Sequence, residues 1–136
     1  MMWGEINKNV IKDRRLLQIF RIFAPIQTTA TMDKRQTLTR NEALALVRKY
    51  KEVIKSRFTT EPKVIMFGSY SKGYANPDSD IDVAVIVPTY GNNKFEMSKV
   101  LWRDVRNVSF LIEPVLMAED CWCPLYDDVI KTGILV

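Results

Sequence analysis

A small α/β domain, with a mixed β-sheet flanked by helices, is the fold this sequence predicts. Three observations carry that expectation. Residues 39–54 hold an apolar stripe at helical spacing, and three short runs rich in Val, Ile, Leu and Phe read as strands. Helix-spaced segments then precede and follow the last of those runs, giving the order α-β-β-α-β-α. At 136 residues, 47% of them hydrophobic, the chain suits one domain with a real core.

The first helix is the best signalled. Thr39 can cap its N-terminus and Glu42 stands three residues on, the spacing of a capping box. Ala43, Leu44, Leu46, Val47, Tyr50, Val53 and Ile54 make the stripe, which fades near Phe58 before a turn at Thr59, Thr60, Glu61 and Pro62. Lys63–Phe67 reads as a short buried strand. Residues 68–79 are rich in Gly, Ser, Asn, Pro and Asp, so a loop is expected there, with one helical turn near residues 71–74. Residues 80–87 (DIDVAVIV) form the second strand, stopped by Pro88 and the turn at residues 90–93. Residues 94–106 return to helical spacing, with Phe95, Val100, Leu101 and Val105 pointing inward. Residues 108–117 read as the third strand, in which Pro114 lacks an N–H and so favours an edge or a bulge. A last helix starts at Pro124, and Gly133 suits its C-cap.

Residues 1–35 are expected to be an N-terminal extension, non-native or disordered, ahead of a domain at residues 36–136. Leu16, Leu17, Ile19, Phe20, Ile22 and Phe23 could line an amphipathic helix before Pro25, and Met32 is the expected natural start. The other reading of this segment is a partner-binding or membrane-surface arm. No run approaches the ~20 apolar residues that span a bilayer, and no secretory signal is visible. Cys121 and Cys123 are too few for a zinc site or a disulfide scaffold; buried or incidental thiols in a reducing cytoplasm are expected.

The net charge of +4 is unevenly spread. Residues 1–31 hold five Lys/Arg against two acids, and residues 58–136 hold seven basic against eleven acidic groups. The basic stretch at residues 32–57 reads first as a solvated helix face, so nucleic acid is not the expected partner. The chain has no histidine, which removes Ser-His-Asp and Cys-His nucleophile systems. Carboxylates lead the candidates for chemistry.

Asp80 and Asp82 stand two apart on a strand, so both side chains face the same way, with Cα atoms roughly 6.5 Å apart. Such a pair can share Mg²⁺, a hard cation that prefers oxygen ligands. Taken alone, the pair could equally be solvated acids on an edge strand. The preceding loop adds an ordered set of requirements. Gly68 lets the backbone turn sharply, Ser69 offers a hydroxyl and an N–H to phosphate, and Gly73 permits another close approach. Lys72 could add positive charge near a triphosphate or be a solvated loop lysine. Ser79 lies beside the pair and could simply cap the turn, and Asp78 is a turn former.

The stretch GSYSKGYANPDSDIDVAV resembles the signature of the DNA polymerase beta-like nucleotidyltransferases, and the chain's length is similar to that of their minimal (MNT) members. The resemblance implies a polymerase beta-like nucleotidyltransferase fold. It implies that Asp80, Asp82 and a third carboxylate bind two Mg²⁺, with Gly68, Ser69, Lys72, Gly73 and Ser79 at the nucleotide. Glu113 is chosen as the third acid because it sits among Leu111, Ile112, Val115 and Leu116, where an uncompensated carboxylate is costly; Asp104 and Glu119 are its rivals. The implied reaction moves a nucleoside monophosphate, AMP from ATP, to an acceptor hydroxyl. Minimal members often act as antitoxins beside a helical HEPN protein, so a HEPN-like partner and a homo- or hetero-oligomer are expected. The other readings are a non-catalytic antitoxin that neutralises by contact and a transferase acting on a small molecule.

Overall fold

The computed structural model describes residues 36–136. The expectations for the extension, its amphipathic helix and a start at Met32 fall outside the described residues.

Helix α1 (Arg40–Ile54) begins with the predicted capping box: the Thr39 hydroxyl accepts from the Glu42 N–H at 3.0 Å and the Glu42 carboxylate accepts from the Thr39 N–H at 2.8 Å. A 3₁₀ turn (Lys55–Arg57) ends it. Strand β1 (Lys63–Phe67), a single helical turn α2 (Ser69–Lys72) and β2 (Ile81–Val87) follow. Helix α3 (Lys94–Asp104), β3 (Ile112–Ala118), α4 (Pro124–Thr132) and a two-residue β4 (Ile134–Leu135) complete the order. The sheet runs β3-β2-β1-β4, with β2 and β3 parallel and the other two pairs antiparallel. It is therefore mixed, as expected, and Pro114 lies on an edge strand whose register continues through it without a bulge.

Strand alternation divides the core between the two sheet faces. Val64, Met66, Val83, Val85, Ile112 and Leu116 pack with Ala43, Val47, Tyr50 and Ile54 of α1 and with Leu101 of α3. Ile65, Phe67, Ala84, Ile86 and Met117 face the other way, with Val129 of α4. Truncating a buried residue such as Ile54 to alanine would cost about 2–5 kcal/mol. Two polar ties fix α1 and the 3₁₀ turn after it to α3. The buried Tyr50 hydroxyl donates to the Leu101 carbonyl at 2.6 Å, and burial, then the nearby Asp104 charge, pushes its pKa up. Arg57 grips the buried Asp104 carboxylate with two bonds of 2.9 and 3.0 Å.

Several expectations change. The third strand starts at Ile112 rather than at residue 108, because Val105–Asn107 forms a 3₁₀ turn and the Ser109 hydroxyl accepts from the Leu111 N–H at 3.1 Å. That local bond competes with a sheet ladder. Phe95 is 42% exposed at the start of α3, stacked under Lys99, rather than inward. The helical turn is α2, two residues earlier than expected. Cys121 is exposed and Cys123 is half-buried. Gly133 caps α4 in an extended conformation (φ −78°), not a left-handed one, and leads into the unforeseen β4. A Cβ there would run into Ile65 and the Val129 carbonyl, so close approach explains the glycine. Among the described residues no helix is long and apolar enough to cross a membrane.

Candidate active site

The site forms where β2 and β3 begin and β1 ends. Because β2 and β3 run parallel in register, Asp82 is the direct neighbour of Glu113. Their chain neighbours Ile81, Val83 and Ile112 are buried in the core with α1 and α3, so both carboxyls lie on the opposite face, the one that carries α4. Across the antiparallel pair, Asp82 is matched with Phe67, the last residue of β1. The chain then leaves the sheet at Gly68, beside the same carboxylate.

Gly68 meets two demands that no other residue meets. Its φ of +76° lies in the region that favours glycine, and a Cβ would run into Oδ2 of Asp82. Asp80 is 3% exposed, one residue before β2. The Ile81 N–H donates to the Leu111 carbonyl at 2.8 Å, which carries the β2–β3 pairing back to that point. Asp80, Asp82 and Glu113 thus come together as expected. Burial pushes the Glu113 carboxyl up to about 9, helped next by the negative charges of Asp80 and Asp82 and by hydrogen bonding with both.

The rest of the predicted set divides. Ser69 opens α2 and is half-buried. Gly73 ends that turn at φ +89°, a true left-handed cap. Ser79 shapes the turn that delivers Asp80: its hydroxyl accepts from the Asn76 N–H at 2.9 Å, and its N–H donates to the Asn76 carbonyl at 2.9 Å. Asp78 is exposed in that turn, its N–H held by the Asn76 side chain at 2.8 Å. Lys72 reaches to α4, where its ammonium lies 3.2 Å from the Asp128 carboxylate. The two rivals of Glu113 are engaged elsewhere, Asp104 with Arg57 and the exposed Glu119 with Lys63 at 2.9 Å. Sequence reading missed Arg40 and Asp128. Arg40 bonds the carbonyls of Tyr70 and Ser71. Its one sequence signal is a cation at the first position of a helix, where the dipole favours anions. Asp128 gave no signal.

Three carboxyls held together, one of them kept protonated first by burial and then by the other two, suit a hard divalent cation that would take the place of the proton. Among the described residues no three His, Cys, Asp or Glu side chains are already converged into a cage for an ion. Phosphate and water oxygens would have to complete the shell of any ion held there.

Comparison with known proteins gives the family and the fold. The family model described as "Nucleotidyltransferase domain" matches residues 47–120. A protein of Methanocaldococcus jannaschii, provisionally named a protein adenylyltransferase, is 27% identical over 99 residues, which cover 70% of this chain and 99% of that protein. A crystal structure from Sulfolobus solfataricus, provisionally described as a nucleotidyltransferase, aligns with a TM-score of 0.54 at 21% identity, over 71% of this chain and 80% of that one, a likeness of fold. A mutant of the MntA-HpeT toxin–antitoxin pair aligns with a TM-score of 0.39 at 20% identity, over 72% of each chain, too low a score to add to the argument.

Proposed function

The chain belongs to the nucleotidyltransferase domain family, and on that footing we propose that it moves AMP from ATP to a hydroxyl of a partner protein. The observation that carries this reading is the pairing of Asp82 with Glu113 beside Asp80, with the Gly68 turn packed against Asp82. The provisional name of the Methanocaldococcus jannaschii relative supports a protein as acceptor and adenylate as the group moved. The motif resemblance favours a HEPN-like helical partner in a cytoplasmic toxin–antitoxin pair.

In the proposed reaction the acceptor hydroxyl oxygen bonds to the α-phosphorus of ATP. The bond to the bridging oxygen of the β-phosphate breaks, pyrophosphate leaves, and the hydroxyl gives up its proton. Asp80, Asp82 and Glu113 would hold Mg²⁺, which supplies stabilisation of the charge on the attacking and leaving oxygens. Ser69, at the sharp turn that Gly68 permits, presents an N–H and a hydroxyl to the β- and γ-phosphates. In its carboxylate form Glu113 would take the proton of the acceptor hydroxyl. Such catalysis is mostly positioning and charge stabilisation, which a preorganised sheet end can supply.

The test mixes the full chain, Mg²⁺ and α-labelled ATP with the product of the adjacent gene, and repeats it with Asp82→Asn. Label on the partner that disappears in the variant is expected. A partner that stays unlabelled, yet is bound and silenced equally by both proteins, would point to neutralisation by contact instead.

A further inference from the structure

Arg40 is the first residue of α1, and the capping box between Thr39 and Glu42 fixes the backbone on either side of it. A cation gains nothing from the helix dipole at that position. Its guanidinium is used elsewhere. Nε donates to the Tyr70 carbonyl at 3.2 Å and Nη2 donates to the Ser71 carbonyl at 2.9 Å. The N–H groups of the turn go to other acceptors: Ser71 and Lys72 donate to the Gly68 carbonyl, while Gly73 and Tyr74 donate to that of Ser69. Arg40 therefore serves the next two carbonyls, at the end of a one-turn helix too short to be stable by itself.

Neighbouring contacts seat the same turn. The buried Tyr70 accepts the Leu38 N–H on its hydroxyl at 3.3 Å, so the residues entering α1 are tied to α2 as well. At Gly73 a Cβ would stand 3.4 Å from Nη2 of Arg40, which places the guanidinium against the far end of the turn. The near end is set by Gly68 against Asp82.

We propose that Arg40 is a positioning residue for nucleotide binding, holding residues 68–73 so that the N–H and hydroxyl of Ser69 stay in place beside the carboxylates. The proposal rests on the reading of Gly68 and Ser69 as the phosphate-holding turn. A planar fork that spans two carbonyls suits arginine, and the single ammonium of lysine cannot reproduce it.

The test compares the full-length wild type with Arg40→Ala and Arg40→Lys, using calorimetric titration with ATP and Mg²⁺ alongside steady-state kinetics. Arg40→Ala should weaken ATP binding and raise KM by roughly tenfold, with kcat changed far less, because ordering is lost in the ground state and transition state alike. Arg40→Lys should fall between the two. Arg40→Ala protein that binds ATP as the wild type does, or that loses kcat at unchanged KM, overturns the proposal. If Arg40→Ala does not fold, Arg40→Lys decides by the same criterion: a raised KM supports the proposal and an unchanged KM overturns it. Wild-type protein that binds no ATP overturns the nucleotidyltransfer reading itself, and this proposal with it.

Discussion

Gly68 lies so close to Asp82 that a single added methyl group would collide with the carboxylate Oδ2. The turn proposed to hold phosphate and the strand proposed to hold the cation are thus closely packed at this point. Gly68→Ala would meet both this collision and a φ of +76°. A loss of about 1–3 kcal/mol in chemical denaturation is expected. Nucleotide transfer should fall much further than the remaining folded fraction accounts for, since Asp82 must move.

Gly133 supplies the contrast. Its φ is ordinary, and a Cβ there would press on Ile65 and the Val129 carbonyl, away from the carboxylates. Gly133→Ala should cost a similar amount, about 1–3 kcal/mol, through overpacking. Transfer per folded molecule should stay close to that of the wild type. Measuring stability and activity on both glycine variants separates the two roles.

The Glu113 carboxyl titrates near about 9 in the folded protein, against about 4.3 in an unfolded chain. Between those values the folded state holds more protons than the unfolded state, so stability falls as pH rises. With a chelator present, the thermal midpoint of the wild type should decline from about pH 5 to about pH 9, and Glu113→Gln should lose most of that slope. Added Mg²⁺ should displace the proton, making cation binding tighter as pH rises. Titrations in buffers of different ionisation enthalpy read the released proton directly.

Lys72 is held by Asp128 at a partly exposed pair, a contact worth under about 1 kcal/mol. Asp128→Asn should therefore leave the unfolding midpoint nearly unchanged. It should also release the ammonium for the nucleotide's phosphates and lower the KM for ATP. A KM that rises instead would mean that Asp128 aims Lys72 rather than withholding it.

Much of this was legible in the sequence because local chemistry decided it. The Thr39–Glu42 capping box and the α1 stripe follow from short-range rules, and the structure shows both. Glu113 was inferred from the cost of a carboxylate among apolar neighbours, and its partnership with Asp82 depends on a register that sequence alone does not give. Elsewhere tertiary or side-chain effects prevailed. Ser109 satisfies a nearby N–H and delays β3, while Gly133 answers to a neighbour on another strand rather than to its own φ. Arg40 and Lys72 have their partners 30 and 56 residues away, beyond any local pattern.

Parallel reactions with α-labelled and γ-labelled ATP, Mg²⁺ and the partner protein, in wild type, Asp82→Asn and Glu113→Gln, decide whether this site transfers AMP. α-Label should appear on the partner while γ-label leaves as pyrophosphate, and both signals should be lost in each variant. Release of γ-label as inorganic phosphate with no α-label on any acceptor, or transfer that survives both substitutions, would contradict this reading of the site.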